Sequence, residues 1–244
     1  MNLVTDTATW LADPAHWSGP SGIPTRLSEH VVLSAVALLV AAAVALPTGL
    51  TIGHTGRGSA LAATLANVGR AIPSLAVIGI ALPLTVLIDP QLGFKVYPTL
   101  IAMVVLAIPP ILVNAEAGVA GVDRDLVESA RAMGMRETEV LGRVEVPVAL
   151  PVILVGLRSA ATQIVATMTL GAIFAAGGLG SYLVEGISQN DDGKIFGGVV
   201  LVAGLALATE GAFALILRRF ASPGLRPPGT AVTRSSPVAG SLAP

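Results

Sequence analysis

Five apolar runs limit this chain more than any other feature in it. Val31–Gly53, Pro98–Gly118, Ala149–Ala176 and Ile195–Leu217 each reach the ~20 residues that cross a bilayer as a helix. Ala60–Ile88 is longer and is interrupted by Arg70 and Pro73, so a second helix kinked or broken near Pro73 is predicted. Lipid offers no hydrogen bonds to a bare backbone, so runs of this kind must fold as helices that satisfy themselves. Charged residues make up 12% of the chain, against roughly 25% in soluble domains. The expected fold class is an all-α integral membrane protein with about five transmembrane helices. Residues 1–30 form a polar segment without the basic and apolar regions of a signal peptide. Trp10 and Trp17 read there as interfacial anchors. Residues 31–220 form the membrane domain, and residues 221–244, rich in Pro, Ser and Gly, are predicted to be disordered.

One stretch breaks the apolar pattern without supplying a soluble domain. Residues 122–151 carry Arg124, Arg131, Arg136 and Arg143 among several acids. Asp125 followed by Glu128 has the spacing of a capping box, which starts a short helix. Leu126, Ala130 and Met133 recur on one helical face. Gly134 is free to take positive φ and divides this helix from a second over Thr138–Val144. Pro147 and Pro151 mark the return into an apolar helix, since proline is tolerated in a first turn. A charged helical hairpin inside a membrane protein needs a partner for its exposed face.

Arginine distribution gives an orientation. Arg57, the four arginines of 122–151, and Arg218, Arg219, Arg226 and Arg234 fall in loops that share one side if Ala60–Ile88 crosses once. The positive-inside rule puts that side in the cytoplasm, with the N-terminus outside and the C-terminus inside. The remaining loops hold Arg26, Lys95 and Lys194 beside Asp89, Glu185, Asp191 and Asp192.

Glu128-Ser129-Ala130, then Gly134, then Val144-x-Val146-Pro147 resembles the EAA loop of permease subunits of ATP-binding-cassette (ABC) importers. The family pattern is E-A-A, three residues, G, nine residues, I-x-L-P. The spacing matches throughout, with small or apolar replacements at Ser129, Val144 and Val146. Gly69-Arg70-Ala71-Ile72-Pro73-Ser74-Leu75-Ala76 and Ala130-Arg131-Ala132-Met133-Gly134-Met135 narrow the resemblance to importers of quaternary-amine osmoprotectants such as glycine betaine, choline, carnitine and proline betaine. Related methionine importers share some of these segments. The resemblance implies a type I ABC importer permease fold whose loop is a cytoplasmic coupling helix. It points to Glu128, Ser129, Ala130, Met133, Gly134, Met135 and Arg136 as the residues coupling to the ATPase. It further implies a cytoplasmic ATPase dimer that binds ATP and Mg, a second permease copy or paralogue, an extracytoplasmic substrate-binding protein, and a multi-pass location in the bacterial cytoplasmic membrane.

Other chemistry is poorly supported. No P-loop of the form G-x-x-x-x-G-K-[ST] occurs, so ATP is not expected to bind this chain in that mode, and an enzyme is not expected. There is no cysteine, and His16, His30 and His54 lack ligand spacing, so neither a metal site nor a cofactor is expected. A net charge of −1 does not suggest a nucleic-acid partner. Candidates for a translocation pathway are Arg70, Pro73, Ser74, Glu116, Gln163 and Thr167. Arg70 has a second reading as an arginine snorkelling to the interface. Glu116 has the position to pair with Arg70 or Arg158. Thr162, Gln163, Thr167 and Thr169 either line a path or bond across helices. Phe174, Tyr182, Phe196 and Phe213 are scattered, so an aromatic cage for a quaternary amine is expected on a separate binding protein. The competing class is an ion-coupled secondary transporter, for which only Glu116 and Glu210 offer intramembrane carboxylates.

Overall fold

The computed structural model describes residues 2–220, leaving out the side chains of Leu61, Leu65, Ala66, Val68 and Arg70. The expectations for the Arg70 side chain and for the tail 221–244 therefore lie outside the described residues. The described chain is helical throughout: α1 Leu3–Ala12, α2 Ile23–Thr55, α3 Ser59–Ala71, α4 Ser74–Ile88, α5 Leu92–Lys95, α6 Tyr97–Ala120, α7 Arg124–Ala132, α8 Glu137–Val140, α9 Val146–Gly171, α10 Gly180–Gln189 and α11 Asp192–Phe220. Four helical segments are long and apolar enough to cross a membrane, and α4 is a shorter apolar helix.

The second apolar run is broken rather than kinked. Ile72 and Pro73 are extended between α3 and α4. Pro73 supplies no N–H and disfavours a helical conformation at Ile72. Both short helices pack on α6. Gly69, near the end of α3, lies against Pro109 halfway along α6, where an added Cβ would come within 2.5 Å of the proline ring. The two pieces thus share one crossing alongside α6, consistent with five crossings.

Glycines set the directions of the other helices. Gly49 faces Leu112 and Gly53 faces Glu116, so α2 and α6 run parallel. Gly118 meets Ala149, Gly156 meets Pro110 and Asn114, and Gly171 meets Thr99, so α9 runs antiparallel to α6. The α2–α6 seam is built from small residues four apart: Ala37, Ala41 and Ala45 are fully buried, and Gly49 and Gly53 continue the row. Lipid tails are as apolar as leucine, so close backbone approach, not apolar burial, holds such a seam.

At the end of the bundle away from residues 122–151, α1 folds back on α11. Trp10 is only 7% exposed, stacks on His16, meets Tyr182 edge-on and covers Gly197. The expected lipid anchor is thus a packing residue of this end, and only Trp17 is exposed. α2 begins at Ile23, so the helix starts ahead of the expected membrane domain. Tyr182 donates to the Ser21 carbonyl, and burial pushes its phenol up to about 12. Glu29 accepts from the Gly178 amide, and buried His30 bridges the Val165 carbonyl and the Leu179 amide. These bonds fix the turn at Gly177 and Gly178, both at positive φ.

Candidate functional site

The charged stretch forms a compact hairpin with its own small core. Val122, Val127, Ala130 and Val140 are buried together, with Met135, Val144 and Val148 packed on them. The cap of α7 is Asp123, which accepts from the Asp125 amide, so the helix starts earlier than the expected Asp125–Glu128 box. One half of such a box appears instead at α8, where the Glu139 side chain accepts from the Arg136 amide. Gly134 has φ of +87°, as the turn requires.

The inward face of α7 is Val127 and Ala130, while Leu126 and Met133 are exposed, Met133 by 77%. The expected apolar stripe is therefore split between core and surface. Ala130 and Met135 hold the hairpin together; Glu128, Ser129, Met133, Gly134 and Arg136 form its outer surface. An exposed methionine and leucine beside charged groups suit contact with another protein surface.

The second hairpin helix does not end before Pro147. α8 passes through a π-helical turn, Leu141–Glu145, directly into α9. The Val146 amide reaches back to the Leu141 carbonyl, the wide spacing of such a turn. That widening relieves the clash a proline at 147 would make with the preceding turn of a regular helix. The hairpin is thus joined to a membrane helix without a flexible link.

A polar chain ties this junction to α2. Glu145, in the wide turn and 4% exposed, bonds His54 Nδ1 at 2.6 Å. His54 Nε2 lies 3.1 Å from Glu137. Glu137 in turn accepts two bonds from Arg131, at 3.0 and 2.9 Å. That carboxylate raises the Arg131 guanidinium above its ordinary value. Nothing in the spacing of His54 and Glu145, 91 residues apart, reveals this contact. His54→Ala is expected to destabilise the protein by about 1–3 kcal/mol, because a buried acceptor loses its partner. Thermal unfolding of the purified protein checks this, and an unchanged melting temperature contradicts it.

Within the membrane segment, Arg158 of α9 donates to Glu210 of α11, through Nε at 2.6 Å and through Nη2. Thr162 Oγ1 completes the group at 3.4 Å from Glu210. Arg158 therefore pairs with Glu210 and not with Glu116. Ser159 and Gln163 join them along an open groove of about 500 Å³. The same two residues also line a cavity of about 270 Å³ against Gly69, Ile72, Pro109 and Pro110. The two spaces thus flank α9 and the second reaches Ile72 at the break, while Pro73 and Ser74 line neither of them. Thr167 lies off it, 1% exposed, with its hydroxyl donating to the Gln163 carbonyl at 2.9 Å. The hydroxyl of Thr169 likewise donates to a carbonyl of its own helix.

Residues 34–227 match the family described as "Binding-protein-dependent transport system inner membrane component". The chain belongs to this permease family. The permease is 33% identical to the carnitine transport permease protein OpuCB of Listeria monocytogenes, over 81% of this chain and 88% of that protein. It is 30% identical to the choline transport system permease protein OpuBB of Bacillus subtilis, over 81% and 88%. It is 33% identical to the osmoprotectant import permease protein OsmW of Salmonella typhimurium, over 84% and 92%. Among solved structures, a chain of the MetNI methionine ABC transporter in an inward-facing conformation superposes with a TM-score of 0.72 at 21% identity, covering 86% of the permease and all of that chain. The permease therefore has the type I ABC importer fold expected from its sequence.

Proposed function

We propose that this permease forms the membrane path of an ATP-driven importer of small quaternary-amine osmoprotectants in the bacterial cytoplasmic membrane. The observation that carries the coupling half of this reading is the rigid joint between hairpin and α9. An ATPase dimer binding ATP and Mg on the cytoplasmic side would press on Glu128, Ser129, Met133, Gly134 and Arg136. With no flexible link, that push tilts α9 rather than bending the loop. The cargo half rests on the carnitine, choline and osmoprotectant permeases that this chain resembles over more than four-fifths of its length.

One chain leaves its groove open on one side, so a second copy or a paralogue closes the path. An extracytoplasmic binding protein delivers cargo at the α1–α10 end. Among the described residues, Trp10 and Tyr182 meet, but both are buried against their own protein, so neither offers a free aromatic face there.

Uptake tests the reading. The permease, its ATPase and its binding protein, reconstituted in vesicles, should import glycine betaine, carnitine or choline only with ATP. Import of methionine instead, with none of these three, would contradict it. The proposed sidedness has its own test. Ser188→Cys and Thr138→Cys are both exposed positions in a chain without cysteine. An impermeant thiol reagent applied to intact cells should label Ser188→Cys and reach Thr138→Cys only after permeabilisation. The opposite pattern reverses the orientation.

A further inference from the structure

We propose that the Arg158–Glu210 pair is a weak recognition site for the two charges of a zwitterionic cargo. The carboxylate of the cargo would sit against Arg158 and its quaternary ammonium against Glu210. The inference rests on the reading of the cargo given above and adds the residues that meet it inside the membrane.

Position makes the argument. Arg158 is nine residues beyond Ala149, or about 14 Å along the helix axis. Charged groups at such depth face a cavity or one another, not lipid. Yet this pair is not sealed in packing: its side chains are 35% and 39% exposed to the groove. On the flank of α9 next to the pair the lining changes: Ala161, Ile164 and Val165 meet α2 and α11 around a mostly apolar cavity of about 180 Å³. On the pair's other flank the groove wall is polar, with Ser159, Thr162 and Gln163 beside Arg158 and Glu210. The groove, at about 500 Å³, falls within the roughly 300–1,000 Å³ usual for small-molecule sites.

The chemistry of the pair fits a zwitterion. Glu210 engages Nε and Nη2 of Arg158, and among the described residues Nη1 makes no bond. A planar guanidinium matches a carboxylate through two parallel N–H donors. A quaternary ammonium has no N–H and is held by charge, which Glu210 supplies. An inserted zwitterion brings no net charge, so each member of the opened pair gains a counter-charge. When the cargo leaves, the pair closes on itself and the groove returns to neutrality. A cation without a carboxylate, such as choline, leaves Arg158 unmatched while it occupies Glu210. Thr162, Ser159 and Gln163 offer neutral hydrogen-bonding groups along the same wall.

The test uses the whole importer in vesicles, with uptake of glycine betaine and of choline normalised to assembled complex. R158K keeps the charge pair but loses the two-pronged donor; R158Q/E210Q replaces the pair with two amides that can still bond each other. Glycine betaine uptake should fall at least tenfold in R158Q/E210Q and severalfold in R158K. Choline uptake in R158K should fall less than glycine betaine uptake. Wild-type rates of glycine betaine uptake in either variant, or equal losses for both solutes in R158K, overturn the inference and leave the proposed function standing. A wild-type importer that carries choline and no zwitterion overturns the inference alone. A wild-type importer that carries neither solute nor carnitine removes the proposed function and this inference with it.

Discussion

A permease with Glu128→Lys and Gly134→Pro together is expected to reach the membrane, bind detergent as a folded protein, and lose at least tenfold in ATP-driven uptake. The two changes strike the outer surface of the hairpin and its turn. Glu128 is exposed, so a lysine there reverses the charge offered to a partner without disturbing the core. Gly134 sits at φ of +87°, which proline, fixed near −65°, cannot adopt. Proline also removes the amide that donates to the Arg131 carbonyl at 2.9 Å. The membrane helices are held by contacts elsewhere, and the His54–Glu145 bond anchors the joint independently of this turn. Uptake and ATPase stimulation are the measurements. Normal values for both in the double variant would show that this surface does not couple the two proteins.

Gly49→Leu is expected to leave no folded permease at all. A Cβ at position 49 would lie 2.6 Å from the Leu112 carbonyl oxygen and 2.9 Å from the Ala115 side chain. Overpacking usually costs about 1–3 kcal/mol when side chains can shift. Here the obstacle is backbone, so α2 must separate from α6 along a seam that depends on close approach. Leu39→Ala makes the control: Leu39 is 70% exposed on the same helix, and its change should fall within about 0.5 kcal/mol. Monodispersity after extraction in detergent distinguishes the two. A well-behaved Gly49→Leu protein would mean the seam is looser than its glycines imply.

The crossings were legible in the sequence because lipid imposes one rule, that apolar length means helix. The break at Ile72-Pro73 and the positive φ of Gly134 were equally legible, since proline and glycine act locally. The EAA spacing pointed correctly to the permease family. Contacts between distant residues were not legible. His54 with Glu145 and Arg158 with Glu210 join helices that only the assembled bundle brings together. Opposite charges in separate apolar runs were the available signal for the second pair, but from sequence Glu116 was the partner named for Arg158. Trp10 was misread because an aromatic ahead of a membrane helix has the same local signature whether it faces lipid or a neighbouring glycine. The extent of the second hairpin helix was misread for another reason. Pro147 looks like a boundary, and only the wide turn before it shows how a helix can run past.

That uninterrupted helix, from Glu137 through Phe174, spans 38 residues, or about 57 Å. In the proposed importer it would serve as a seesaw beam. A tilt of about 10° around its centre carries each end some 5 Å in opposite directions, by the same rise per residue. The hairpin end and the Gly177 turn would then swing in antiphase, one gate opening as the other shuts. Arg158 lies close to the midpoint of this beam, where displacement is smallest. Cargo resting there would stay nearly still while access to it changed sides.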